Sequence, residues 1–275
     1  MATSAASAPL ATKTIYPTGG DTQRCALRAP VALLHGFTQN HSVLEPFARL
    51  LAELTMRKIE LVDLPGHGDS SGVVLGLEAT ADLIAESAPG AVLVGYSLGG
   101  RIGLTLAHRH PQALAALVVL GANPGLADPG EREARLAADR QLAGRLKAVE
   151  GTDELRAFLT AWLGNSLFGG IPAEAAGLEA RLSNQPGPMS EMLVATSLGV
   201  QEDLWGAARE MEIPVLYVHG ERDEKFSSLA KRYCGGSEGR VSRGAVPGAA
   251  HYVIGEAPYA TAVLIAGFLE EAGVP

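Results

Sequence analysis

Residues 91–110 constrain this chain more tightly than any other stretch. Ala91-Val92-Leu93-Val94 is an apolar run of strand length, Gly95-Tyr96-Ser97-Leu98-Gly99 follows at once, and residues 102–110 have a helical pattern stopped by Pro111. A strand that turns through Gly-x-Ser-x-Gly into a helix holds its serine at a strained point, so the flanking residues must be small. Gly95 and Gly99 meet that need, and Gly100 lets the helix approach neighbouring backbone. Ser97 is then expected at the end of a sheet and at a helix N-terminus. The dipole and the free Leu98 N–H favour negative charge there.

Around this turn the chain alternates strand and helix. Strands are expected at Val31–Leu34, Ile59–Val62, Leu114–Leu120, 214–218 and 240–246. Helices are expected at 42–56, 80–87 and Pro258–Glu271, the first opened by a capping box of Ser42 and Glu45 and the last with proline at its first position. Such alternation implies an α/β fold, a mainly parallel sheet flanked by helices. Residues 1–12, rich in Ala and Ser, read as a flexible tail without the basic start and apolar stretch of a signal peptide.

Residues 122–212 break the rhythm. They run for roughly 90 positions without a convincing strand, far beyond an ordinary α/β connection. Their pattern is helical at 131–146, 152–163, 173–182 and 190–198. An insertion between parallel strands lands over their carboxyl ends, where ligands bind. The segment therefore reads as a helical lid, inserted before the strand that carries the acid, on a core of 13–121 and 213–275. A packing extension with no role is the competing reading.

A serine hydroxyl is a poor nucleophile and a poor base at neutral pH; it needs a histidine, which needs an orienting carboxylate. After such an elbow the acid and then the histidine follow in chain order. His251 comes late, in Pro247-Gly248-Ala249-Ala250-His251, a tight loop able to present a ring to Ser97. Asp223, five residues past Val218, is the favoured acid, with Glu221 and Glu224 as alternatives. His219 reads as structural, His67 as a brace of its Pro-Gly-His-Gly turn and His35 as a loop anchor. His108 and His110 point away down the elbow helix, and His41 has no assigned role. The Leu98 and Phe37 N–H groups have the positions of oxyanion donors. No metal and no cofactor are expected, because the histidines lack ligand spacing and no Gly-x-Gly-x-x-Gly follows a strand.

Net charge is −8, which argues against a nucleic-acid partner. No apolar run approaches the ~18 residues of a membrane span. Cys25 and Cys234 make no disulfide framework, so a reducing, cytoplasmic setting is expected. Nothing in the sequence speaks to oligomeric state.

The motifs resemble the α/β-hydrolase superfamily over nearly the whole chain after the tail. A narrower likeness lies in Leu34-His35-Gly36-Phe37-Thr38-Gln39-Asn40, Val62-Asp63-Leu64-Pro65-Gly66-His67-Gly68 and Gly95-Tyr96-Ser97-Leu98-Gly99-Gly100-Arg101. Asn123-Pro124-Gly125-Leu126, Arg181-Leu182-Ser183-Asn184, Ala195-Thr196-Ser197-Leu198-Gly199 and Gly220-Glu221-Arg222-Asp223-Glu224-Lys225-Phe226 extend it. Together they resemble the 2-succinyl-6-hydroxy-2,4-cyclohexadiene-1-carboxylate synthases of menaquinone biosynthesis.

That resemblance implies elimination of pyruvate from 2-succinyl-5-enolpyruvyl-6-hydroxy-3-cyclohexene-1-carboxylate. Ser97, activated by His251 and Asp223, would remove a ring proton beside the succinyl ketone, and Phe37 and Leu98 would hold the enolate. Tyr96, Arg101, Arg135, Trp162 and Arg181 are the implied contacts to this small anionic substrate. Gln185 and the two prolines beyond it depart from the pattern. Planar guanidinium forks suit the three carboxylates of such a molecule. The residues themselves leave alternatives: Arg135 as a surface pair with Glu131 or Asp139, Arg181 as a solvated helix end, Trp162 as lid core. A serine carboxylesterase or other acyl hydrolase is the competing activity, and it has no need of an arginine clamp.

Overall fold

The computed structural model describes residues 9–18 and 25–275. One seven-stranded sheet runs in the order β1-β3-β2-β4-β5-β6-β7. Its strands are β1 (Thr12–Ile15), β2 (Val31–Leu34), β3 (Ile59–Val62), β4 (Ala91–Tyr96), β5 (Leu114–Leu120), β6 (Val215–Gly220) and β7 (Val241–Val246). All neighbouring pairs are parallel except β1 with β3. Parallel central strands are covered on both faces, which is why β2, β4 and β5 are near-continuous runs of Val, Leu and Ala.

Alternate side chains feed two cores. Val31, Leu33, Val92, Val94 and Val118 face α1 (His41–Thr55) and, beyond the short α9 (Val253–Glu256), α10 (Pro258–Glu271). Leu34, Leu93, Leu117 and Val119 face α2 (Leu77–Ser87), α3 (Leu98–Arg109) and α8 (Glu224–Gly235). The period of two along each strand thus sets the layers.

Several elements differ from the sequence reading. The tail reading fails at its inner end, because Thr12 already pairs with Val62 in β1, while residues 1–8 lie outside the described part. β1 escapes a pattern search because three of its four residues are exposed at the sheet edge. Asn40, not Ser42, caps α1: its side chain accepts the Val43 N–H at 3.2 Å, while Glu45 pairs with Lys13 and Arg49. α2 starts three residues before the expected 80, because Gly76 O already accepts the Thr80 N–H at 3.0 Å and closes a first turn from Leu77. The expected helix at 173–182 shrinks to α6 (Leu178–Arg181) behind the left-handed Gly177.

Between β5 and β6 the described chain holds α4 (Pro129–Lys147), α5 (Gly151–Leu163), α6 and α7 (Pro186–Ala195), and no strand. Pro186, one of the departures noted after Arg181, sits in the first turn of α7, where its missing N–H costs nothing. Among the described residues no helix is long and apolar enough to cross a membrane.

Candidate active site

β4 and α3 meet at Ser97, which has φ 50° and ψ −103°. A positive φ on a side chain with a Cβ is strained and persists only where surroundings over-determine it. Here the Ser97 N–H donates to Leu120 O at 2.8 Å and the Gly99 N–H to His35 O at 3.0 Å, tying the turn to both neighbouring strands. No side chain fits at the flanking glycines: a Cβ on Gly95 would lie 2.3 Å from Gly99 O, and one on Gly99 2.5 Å from Leu34 O.

His251 follows β7 and comes back to the ends of β5 and β6. Its Nδ1 lies 3.0 Å from Asp223 Oδ2, and both residues are buried. A carboxylate only accepts, so Nδ1 carries the proton and Nε2 is left as the basic atom. Asp223 is held in turn by the Phe226 N–H, donated to Oδ1 at 3.0 Å, as the cap of α8. Glu221 instead accepts the Gly248 N–H at 2.9 Å, and Glu224 is exposed on α8. Gly220 allows the histidine loop to pack on β6; a Cβ there would lie 1.9 Å from Ala250 O. Aromatic rings surround the imidazole, with centroid distances of 4.4 Å for Phe226 and 5.5 Å for Tyr96.

Opposite Ser97 lies the loop after β2. Among the described residues the backbone N–H groups of Phe37 and Leu98 have no acceptor, so both are free to meet an oxyanion. The next residue, Thr38, has φ 68°, a genuine outlier for a β-branched side chain. Three partners hold it. The Thr38 N–H donates to His67 Nε2 at 3.3 Å, Asn184 Nδ2 donates to Thr38 O at 2.8 Å, and Arg181 Nη1 donates to Thr38 Oγ1. His35 donates from Nδ1 to Gly36 O at 2.8 Å and accepts the Leu64 N–H on Nε2 at 3.0 Å, so it anchors the loop. His67 donates to Pro65 O at 2.9 Å and braces its turn.

Burial, with His67 nearby, pushes His35 down to about 3, and burial pushes His67 down to about 4. Both rings are therefore neutral in the folded chain. Because these folded values lie below the unfolded value near 6.5, protons bind the unfolded chain better. The contribution is fully present above about pH 6.5 and is lost as pH falls toward 4 and 3. Denaturant titrations between pH 6.5 and 5 should show stability falling by about 1–3 kcal/mol per pH unit. A flat profile over that window would remove these two histidines from the stability argument.

Ser97, Leu98, Phe37 and His251 line one cavity of about 140 Å³, together with Tyr96, Arg101, Arg135, Trp162 and Arg181. The arginines differ. Arg101 donates from Nη1 to Thr196 O at 2.7 Å and Gln201 Oε1 at 3.0 Å; burial and the nearby Arg135 push it down to about 9. Arg135 is exposed and pairs with Asp139 at 2.8 Å, as its surface reading expected. Arg181 is 1% exposed, which overturns the solvated helix end; burial lowers its pKa, and no carboxylate pairs with it among the described residues. It also donates from Nε to Ala176 O at 3.0 Å. Trp162 combines both of its readings, lining the cavity while its ring meets Phe37 at 5.5 Å and Phe168 at 5.9 Å.

The sequence reading missed other residues. Gln39, Phe168, Lys225 and Phe226 line the same cavity. Phe226 was legible as the third residue after Asp223; Phe168 had no signal. His41, without a role before, begins α1 and lies 2.7 Å from Asp63 Oδ2. His41, Asp63 and Asp69 bring ligand-type atoms within 4.8 Å of one another. The Asp63 oxygens already accept from His41 N, His41 Nδ1 and Asp69 N, so the trio reads as a loop brace.

Comparison with known proteins agrees with this architecture. The alpha/beta hydrolase family model matches residues 31–263. A 2-succinyl-6-hydroxy-2,4-cyclohexadiene-1-carboxylate synthase of Enterobacter sp. (strain 638) is 34% identical over 247 residues, covering 87% of this chain and 91% of the relative. One of Citrobacter koseri is 37% identical over 177 residues, 62% of this chain and 69% of the relative. Among solved structures, MenH from S. aureus superposes with a TM-score of 0.82 at 22% identity, covering 95% of this chain and 98% of that one. A malate-bound thermophilic esterase from Thermogutta terrifontis reaches 0.72 at 22% identity, over 96% and 93%. At such identities the structural likeness speaks to the fold, and the curated relatives speak to the family. The chain belongs to the alpha/beta hydrolase family and, within it, to the family of 2-succinyl-6-hydroxy-2,4-cyclohexadiene-1-carboxylate synthases.

Proposed function

We propose that this chain eliminates pyruvate from 2-succinyl-5-enolpyruvyl-6-hydroxy-3-cyclohexene-1-carboxylate, giving 2-succinyl-6-hydroxy-2,4-cyclohexadiene-1-carboxylate. Ser97, Asp223 and His251 are the catalytic residues. His251 Nε2 takes the Ser97 hydroxyl proton, and the serine oxygen removes the ring proton beside the succinyl ketone. The C–H electron pair moves to the ketone oxygen, which the Phe37 and Leu98 N–H groups hold as an enolate. Return of that pair forms a ring double bond between positions 2 and 3, shifts the existing 3,4 double bond to 4,5 and breaks the C–O bond to the enolpyruvyl group at position 5. Ser97 has regained a proton from the ring, and His251 Nε2 passes its proton to the departing pyruvate enolate, so the enzyme is restored without an acyl intermediate.

One observation carries the reading: the elbow serine and His251, itself paired with Asp223, share a cavity with Arg101, Arg135 and Arg181. A tricarboxylate needs that charge, whereas a neutral ester does not. Tyr96 and Trp162 complete the substrate contacts. Residues 122–212, which supply Arg135, Trp162 and Arg181, act as a lid over the strand ends. The chemistry requires no metal or organic cofactor, because backbone donors meet the developing charge.

The test is incubation with the enolpyruvyl substrate, following pyruvate by a coupled dehydrogenase. Stoichiometric pyruvate supports the proposal. Hydrolysis of small neutral esters without pyruvate release would favour the acyl hydrolase.

A further inference from the structure

Among the described residues, six buried polar side-chain atoms lack a hydrogen-bond partner, and three of them belong to residues that line the Ser97 cavity: Gln39 Nε2, Tyr96 Oη and Trp162 Nε1. A buried donor left without an acceptor is costly, so three around one cavity point to acceptors brought by a ligand. Tyr96 and Trp162 already figure as substrate contacts. Gln39 does not.

The orientation of its amide follows from its neighbour. The Gly36 N–H donates to Gln39 Oε1 at 2.8 Å, and a backbone N–H can face only the oxygen. The NH₂ end must then point the other way. Gln39 is 1% exposed and lies on the loop of Phe37 and Thr38. The Tyr252 hydroxyl is a polar neighbour shared by the Gln39 amide and Arg181, yet it gives Nε2 no hydrogen bond of acceptable geometry. A neutral donor and a buried cation without a carboxylate partner thus stand side by side.

We propose that Gln39 is a specificity-determining residue for the reaction above: its Nε2–H donates to an oxygen of the substrate carboxylate that Arg181 neutralises. The same side chain, through Oε1, holds Gly36 and with it the Phe37 donor. Binding of the carboxylate and the set of the oxyanion loop therefore meet in one amide. This rests on the proposed substrate, and binding is measured apart from turnover so that the two can fail separately.

The informative variant is Gln39→Glu, which keeps an acceptor for Gly36 and replaces the donor by an anion. Affinity for the enolpyruvyl substrate is read by Trp fluorescence in a Ser97→Ala background, where nothing turns over. At pH 8 the Kd should rise about tenfold or more, since a buried donor is lost and like charge is added. The bound carboxylate raises the pKa of the introduced glutamate, so lowering the pH to 5.5 returns a proton to the complex and should narrow the gap to the Gln39 protein. A merely structural role would not produce that recovery. A Kd within twofold at both pH values overturns the proposal.

Should the glutamate variant fail to fold, the unaltered side chain answers the same question. The Gln39 amide NH₂ resonances of the Ser97→Ala protein should shift on saturation with substrate, and their invariance would also overturn it. Substrate that binds with a Gln39-dependent Kd but is never converted by the unmodified enzyme would leave this assignment standing and refute the reaction. Absence of any binding refutes both.

Discussion

Ser97→Ala and His251→Ala should each lower kcat/KM for pyruvate release by about three orders of magnitude or more, because they act as one proton-transfer unit. The double variant should fall little further than either single one, since removing half of a unit already stops it. Melting should hardly move for Ser97→Ala, and alanine keeps the Cβ that strains a φ of 50°, so no large gain is expected either. Asp223→Asn is milder in charge but removes the acceptor that fixes the imidazole tautomer, at a loss of about 10⁴ in the best-studied triad. A Ser97→Ala enzyme keeping more than a tenth of its activity would sink the assignment.

Why this much could be read from the chain has a physical answer. The elbow is legible because its geometry tolerates few residues: a Cβ at Gly95 or Gly99 would collide with backbone, so glycine must be written there. The central strands are legible because burial on both faces demands apolar residues at every position. His251 and Asp223 stand 28 positions apart, but each sits just past a strand, where a parallel sheet collects its side chains at one end. Edge strand β1 left no such trace, because only Ile15 is buried. Nor did the dual attachment of Arg181, whose partners Thr38 and Tyr252 are far off in sequence. A solvated arginine and a buried one carry the same letter, and only packing tells them apart.

That distinction reshapes what the arginines should do when changed. Arg135→Ala should reduce kcat/KM by about tenfold at most, because its exposed side chain already shares its charge with Asp139 and is screened by water. Arg101→Ala should cost about 10–10² in kcat/KM. Among the described residues its guanidinium donates to a backbone carbonyl and an amide, so a substrate carboxylate is its first full counter-charge. Arg181→Ala should cost the most, about 10² or more, and should lower kcat as well as raise KM. It leaves the strained Thr38 without one of its holders and so loosens the Phe37 donor. Arg181→Lys should recover only part, because one ammonium cannot serve Ala176 O, Thr38 Oγ1 and a carboxylate in the fork geometry. Arg145, exposed on α4, is the control and should be neutral, whereas Arg132 is not, since its Nε donates to Gly199 O at 3.2 Å. Hydrolysis of a small neutral ester, where present, then separates two kinds of loss. Arg101→Ala and Arg135→Ala should spare it, because they act on the substrate's charge, while Arg181→Ala should depress it, because the oxyanion loop serves any oxyanion. If all three variants match the Arg145 control with the enolpyruvyl substrate, the cavity is no carboxylate site and the synthase reading loses its physical support.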